Sequence, residues 1–223
     1  MTKQISRLFF LIGFISIAML SEAYDSNAQK PKHFFKNLYL KGNIGISIPA
    51  NKFNHSEDSV YLEKKLDNRP VYNIGVGYKL NDMLRADLNF SYRDLKYSAA
   101  NSDYNLTQSI KTYSFFINGY FDININKIVI PYFTAGIGYS HNNTSALVDS
   151  ENDQQYLGDT KNNCAWNIGI GSRFVFSNSF NLDVAYRYVD LGKINTKDIA
   201  PDQKAGPQSI KSHEVTGGLI YFF

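Results

Sequence analysis

From Leu84 onward the chain alternates with a period of two. Leu84, Ala86, Leu88, Phe90 and Tyr92 fall on one side of an extended backbone, and Arg85, Asp87, Asn89, Ser91 and Arg93 on the other. Side chains point to opposite faces along a β-strand, so the pattern predicts a strand with one apolar and one polar face. Phe180, Leu182, Val184, Tyr186 and Tyr188 repeat it against Asn181, Asp183, Ala185 and Arg187. Eight strand-like runs follow from this periodicity: Leu38–Pro49, Pro70–Leu80, Met83–Tyr97, Ser109–Ile123, Val129–His141, Asn163–Phe176, Ser179–Gly192 and Lys211–Phe223. Each is long enough to cross a bilayer on a tilt, for which about 9–11 residues are needed.

The connections alternate in length. Asn81-Asp82, Asn124–Lys127 and Ser177-Asn178 are short turns, while Ala50–Arg69, Ser98–Gln108, Asn142–Asn162 and Lys193–Ile210 are long loops. Short on one side and long on the other is the habit of an up-and-down membrane barrel with an even number of strands. The expected fold is all-β, an eight-stranded antiparallel up-and-down transmembrane β-barrel.

Periodicity alone does not say which face is outside. Two features place the polar face inside. The polar face carries the glycine pairs Gly75/Gly77, Gly136/Gly138 and Gly169/Gly171. A crowded barrel interior has a use for glycine beside large neighbours, whereas a solvent-facing strand position rarely does. The apolar faces also end in aromatics at both ends. Tyr72, Tyr92, Tyr113, Tyr139, Trp166 and Tyr188 form a candidate girdle at the loop side, and Tyr78, Phe121, Phe133, Phe176, Phe180 and Phe223 one at the turn side. Two girdles match the two interfaces of a bilayer.

The start of the chain refines this picture. Lys3 and Arg7 precede an apolar run from Leu8 to Leu20, and Ser21-Glu22-Ala23 or Ser26-Asn27-Ala28 offers a small-x-small cleavage site. Residues 1–23 therefore read as a secretory signal, 24–37 as a short polar lead, and 38–223 as the barrel. Aromatics make up 15% of the 223 residues, which suits strands and membrane interfaces. The net charge of +3 is too near balance to call for a nucleic-acid partner. Cys164 is the single cysteine, which excludes an internal disulfide and a cysteine metal cluster.

Several segments resemble the outer-membrane β-barrel superfamily, which includes the outer-membrane protein A barrel, the opacity-type porins and the alphaproteobacterial surface antigens. They are Asn118-Gly119-Tyr120-Phe121-Asp122, Tyr132–Tyr139, Tyr186-Arg187-Tyr188-Val189-Asp190-Leu191-Gly192 and Tyr221-Phe222-Phe223. The chain is more distantly similar to the small surface adhesins of rickettsia-like bacteria. The resemblance implies the bacterial outer membrane as location and its lipid as surroundings. It also implies that Val215, Leu219, Tyr221 and Phe223, alternate residues of the last run, are a signal read by the barrel assembly machinery.

Candidate chemistry is sparse. His33, His55, His141 and His213 are scattered without metal-ligand spacing, and the glycine pairs lie inside strands rather than at a strand-to-helix turn. No metal, cofactor or enzymatic activity is expected. The informative set is the inward charge: Lys41, Lys79, Arg85, Arg93, Arg173 and Arg187, with Asp87, Asp122, Asp183 and Glu214 as partners. Eight strands enclose an interior just wide enough for side chains to fill. These residues therefore form either a salt-bridged plug or a narrow gated ion path. The long loops, rich in charge at Glu57–Arg69 and Asp149–Asp159, are the expected contacts with host surface or serum proteins. The expected function is that of a structural or adhesive surface protein, with a small porin as the alternative.

Overall fold

The computed structural model describes residues 37–50, 63–66, 68–101, 104–145, 147–149, 155–156, 160–194 and 208–223. The expected leader and most of the long-loop charge lie outside the described residues. Eight long strands carry the architecture: β1 (Leu38–Pro49), β3 (Arg69–Lys79), β4 (Leu84–Asn101), β5 (Tyr104–Asp122), β6 (Val129–Thr144), β9 (Thr160–Val175), β10 (Phe180–Ile194) and β11 (Gln208–Phe222). Three short ones stand in the long connections: β2 (Glu63–Leu66), β7 (Leu147–Asp149) and β8 (Gln155–Tyr156).

Every long strand pairs antiparallel with its neighbours, and the sheet closes on itself. β1 pairs with β11 from Tyr39↔Phe222 to Pro49↔Ser212, and β4 pairs with β5 from Leu84↔Phe121 to Asn101↔Tyr104. The result is a closed eight-stranded barrel with no free edge along its wall.

Local chemistry fixes the three short turns. The Asn81 side-chain oxygen accepts from the backbone N–H groups of Met83 and Leu84, both at 2.8 Å. Asn126 does the same for Ile128 and Val129, at 2.9 and 2.7 Å. Ser177 Oγ accepts from the Phe180 N–H at 3.0 Å. Short polar side chains that bond the backbone two or three residues on are the usual device for reversing a chain.

At the opposite end β10 carries a bulge, where its register with β11 shifts between Asp190 and Lys193. Gly192 sits there at φ 80°, a left-handed conformation that side chains with a Cβ resist. Its N–H is held by Asp190 Oδ1 at 2.9 Å.

Burial runs opposite to that of a soluble protein. Ile74 and Ile137 on the outer face are 65% and 69% exposed, while Arg93, Asp183 and Glu214 inside are at 0%. Interior glycines make room for large neighbours. A Cβ on Gly77 would strike the Tyr39 ring, and one on Gly171 the Tyr132 ring.

One expected loop is corrected. Ser98–Gln108 is not an open connection: β4 and β5 stay paired through Ala99↔Leu106 and Ala100↔Asn105 to Asn101↔Tyr104. β2 pairs with β4 on one side of this hairpin, and β7 with β5 on the other.

Candidate functional site

The barrel wall places β1, β4, β5, β9, β10 and β11 so that alternate residues converge on the lumen. Among the described residues five cations and four carboxylates are buried there: Lys41, Arg85, Arg93, Arg173 and Arg187 with Asp87, Asp122, Asp183 and Glu214.

They form three clusters. Nearest the turns, Asp122 receives Arg85 through two hydrogen bonds of 2.7 and 2.8 Å and Arg173 through a third at 2.8 Å. Next to it Lys41 pairs with Asp183 at 3.1 Å. Asp183 also accepts from Asn43 Nδ2 at 2.8 Å and the Tyr132 hydroxyl at 2.7 Å. Nearer the loops, Glu214 takes Arg93 on one oxygen and Arg187 on the other. Arg93 also donates to Ser114 Oγ at 2.7 Å. Asp87 is held by neutral donors, Asn118 Nδ2 and the Tyr120 hydroxyl, each at 2.7 Å. Buried charge is tolerated only when paired and hydrogen-bonded in this way.

Lys79 departs from the expectation. It is not part of the lumen network. It shares the inward parity of Val71 and Asn73, but at the turn end of β3 its side chain is 31% exposed. Its ammonium group pairs with Asp82 in the adjoining turn at 2.7 Å, and that contact holds the Asp82 carboxyl below its ordinary range.

Sequence reasoning missed three inward tyrosines, Tyr39, Tyr120 and Tyr132. The Arg85 guanidinium lies 4.6 Å from the Tyr120 ring centre, 5.3 Å from Tyr132 and 5.6 Å from Tyr39. Cation–π contact is strongest away from water, so these rings share the work of holding a buried cation. Parity would have found them, because Tyr39 is two residues from Lys41 and Tyr120 two from Asp122.

It also missed the apolar ends of the lumen. Leu95, Ile110, Phe116, Ala165, Val189, Leu191 and Ile210 pack together at the loop end, above the Glu214 cluster. Tyr39, Ile220 and Phe222 pack at the turn end.

On the outer face Tyr72, Tyr92, Tyr113, Tyr139, Trp166 and Tyr188 are all exposed or half-exposed at the loop end. Tyr92 and Tyr113 rings lie 5.2 Å apart, and Trp166 and Tyr188 rings 5.6 Å. His213 joins this belt, its Nδ1 lying 2.6 Å from the Tyr186 hydroxyl. Val215, Leu219, Tyr221 and Phe223 face outward from β11 and its end, and the Phe223 N–H donates to the Leu38 carbonyl at 3.2 Å. Among the described residues no group of three His, Cys, Asp or Glu side chains is placed to hold a metal ion.

A filled, charged lumen inside an apolar wall with aromatic rims is what a membrane barrel requires. The family model for the outer membrane protein beta-barrel domain matches residues 11–223. The chain belongs to that family. It lies in the bacterial outer membrane, and its exposed apolar band is the lipid-facing surface. It is 30% identical over 95 residues to "Outer membrane protein PagN" of Salmonella typhimurium, covering 41% of this chain and 39% of that protein. It is 27% identical over 95 residues to the "31 kDa outer-membrane immunogenic protein" of Brucella melitensis, covering 43% and 39%. The chain thus matches about two fifths of the length of these relatives. Among solved structures, Neisserial surface protein A shares the barrel with a TM-score of 0.53 and 16% identity, over 83% of this chain and 97% of that one.

Proposed function

We propose that this barrel is a non-enzymatic surface protein that presents its long loops to host surface or serum components. In this reading both ends of the barrel chain face the periplasm, the short turns face inward, and the four long connections face outward. The barrel assembly machinery reads Val215, Leu219, Tyr221 and Phe223 during insertion.

One observation carries the reading. The β4–β5 hairpin continues from the girdle residue Tyr92 to Asn101, and β2 and β7 pair along its flanks. At about 3.3 Å per residue this extension is roughly 30 Å along the strand. Tilted by about 40°, it rises on the order of 20 Å above the membrane interface. A paired platform standing clear of the lipid is suited to contact with other macromolecules, since binding residues gather on loops held by a rigid scaffold. The name of the Brucella relative, an immunogenic outer-membrane protein, agrees with outward display.

The competing reading is a small porin. The apolar clusters at both ends of the lumen and the paired charges between them favour a closed interior.

The test is binding of the purified, refolded barrel to host-cell surface and serum proteins, with each long loop deleted in turn. Deletion of one loop should abolish capture and leave the barrel's unfolding midpoint unchanged. Absence of binding by the full chain, or binding that survives every deletion, would overturn the adhesive function.

A further inference from the structure

The outer face of β10 does not keep its alternation to the end of the strand. Tyr186, Tyr188 and Asp190 point outward in turn, while Arg187, Val189 and Leu191 are buried. Strict alternation would carry Lys193 into the lumen. The bulge at Gly192 prevents this. Asp190 is opposite Lys211 and Lys193 opposite Ser209, so an advance of three residues on β10 matches two on β11. Lys211 points outward between the buried Ile210 and Ser212, and Ser209 shares its face by parity. Opposed residues lie on one face of a sheet, so Lys193 is turned outward too, and it is exposed. Re-aiming a side chain is a common use of a bulge. Asp190 Oδ1 fixes this one by accepting from the Gly192 N–H at 2.9 Å.

The two lysines stand above an aromatic floor. In the sheet Asp190 lies between Trp166 and Lys211, and Tyr188 and His213 form the next row down. The Trp166 and Tyr188 rings are 5.6 Å apart, and the Tyr188 and His213 rings 5.3 Å. Below them Ile168 and Val215 continue as exposed apolar wall. Lys211 is two residues above His213, about 5 Å higher on a strand tilted by about 40°. A lysine there lays its methylenes along the rings and keeps its ammonium group at headgroup level. Lys193 and Lys211 are diagonal neighbours, about 7–8 Å apart at the backbone, a gap that long side chains span. Lys211 meets Asp190 only at 3.7 Å, with both side chains partly exposed. A pair of that kind contributes little, so the ammonium group stays available to another anion.

We propose that this face of β9, β10 and β11 binds the headgroup of an anionic phospholipid. Lys193 and Lys211 hold the phosphate, the rings of Trp166, Tyr188 and His213 carry the glycerol region, and the acyl chains run down over Ile168 and Val215. The occupant is a lipid rather than a soluble anion, because the floor of the site is continuous with the lipid-facing band.

The test uses the full refolded chain, and Trp166, the single tryptophan, reports from within the site. The barrel is placed in vesicles of phosphatidylcholine whose acyl chains are brominated near the headgroup, and bromine quenches the tryptophan. Unbrominated phosphatidylglycerol then replaces it stepwise. The recovery of fluorescence gives the binding constant of the anionic lipid relative to the zwitterionic one. One lysine near an anionic headgroup is worth about fivefold in affinity. Asp190 offsets part of the second, so a preference of about fivefold is expected. It should fall to about one in the double variant Lys193→Gln with Lys211→Gln. It should persist in Lys111→Gln, which removes an exposed cation on β5. Should the double variant fail to refold, equimolar vesicles of the wild type with bromine on one lipid only decide the matter. Brominated phosphatidylglycerol should then quench more than brominated phosphatidylcholine. A wild-type constant near one, or equal quenching by the two lipids, would overturn the proposal. So would a double variant that keeps the preference, or an equal loss in Lys111→Gln, which would make the preference a matter of overall charge.

Discussion

Replacing Asp183 by alanine tests how the lumen is held. The carboxylate is fully buried and serves three partners at once: Lys41 at 3.1 Å, Tyr132 at 2.7 Å and Asn43 at 2.8 Å. Removing one member of a buried ion pair leaves an uncompensated charge and typically costs about 3–5 kcal/mol. Lys41 retains the Tyr120 hydroxyl at 3.3 Å, whose proton is given to Asp87, so the cost should fall toward the lower figure. With a urea dependence of about 3 kcal/mol per molar, the upper end of the usual range, the midpoint should drop by roughly 1–1.7 M. Reversible unfolding of the refolded barrel in lipid vesicles, read by Trp166 fluorescence, measures this directly. The double replacement Asp183→Leu with Lys41→Met should recover most of the loss, because a well-packed apolar pair often substitutes for a buried ion pair without penalty. A midpoint shift below about 0.3 M would mean that the contacts contribute little. A double variant no better than Asp183→Ala would show that the unpaired charge is not the cause.

Three further outcomes are expected. Protease added to intact cells should cut near Glu57–Lys65 or Asp149–Asp159 and spare Asn124–Lys127; cleavage confined to the short turns would invert the orientation. Deleting Phe223, half exposed and bonded to Leu38 only through its backbone, should slow insertion far more than it lowers the folded barrel's unfolding midpoint; equal insertion rates would remove β11's role as an assembly signal. The wild-type barrel in a planar bilayer should show little steady conductance if the packing of Leu95, Phe116, Val189 and Leu191 at the loop end closes the lumen; large steady channels would favour the porin reading.

The alternation of residue types carried most of the fold, because it reports a strand's two faces directly. β1 runs from Leu38 to Pro49 as its pattern indicates, and seven other runs lie within a few residues of their strands. What alternation does not report is depth. Lys79 has inward parity and stands outside the lumen, at the turn end of β3 where its ammonium group meets Asp82. Residue class misleads in the same manner. Tyr39, Tyr120 and Tyr132 look like girdle residues by chemistry, yet each lies on its strand's inward face, where the hydroxyl meets a polar group and the ring a guanidinium. The polar stretch from Ser98 to Gln108 reads as a loop because its residue types lack an apolar alternation, although the backbone stays paired from Ser98↔Thr107 to Asn101↔Tyr104.

The lumen charges have a second consequence, for register. A strand that slips by one residue turns every inward side chain outward. In this barrel such a slip in β4 would send Arg85, Asp87 and Arg93 toward lipid and bring Leu84, Leu88 and Phe90 into the lumen. A lipid-facing arginine costs about 2–4 kcal/mol at the midplane and about 0–1 kcal/mol near an interface, and Arg85 and Arg93 lie toward the two ends of the spanning part of β4. The same slip breaks the pairs with Asp122 and Glu214 and leaves Asp122 to Arg173 alone and Glu214 to Arg187 alone. The penalty of one misregistered strand comes mainly from the broken ion pairs, a sizeable share of the about 5–15 kcal/mol that holds an ordinary domain. An apolar lumen of the same volume would hold the barrel together without that penalty, because either face of a slipped strand would suit lipid. The buried ion pairs thus act more on which pairing forms than on how strongly the finished barrel resists unfolding.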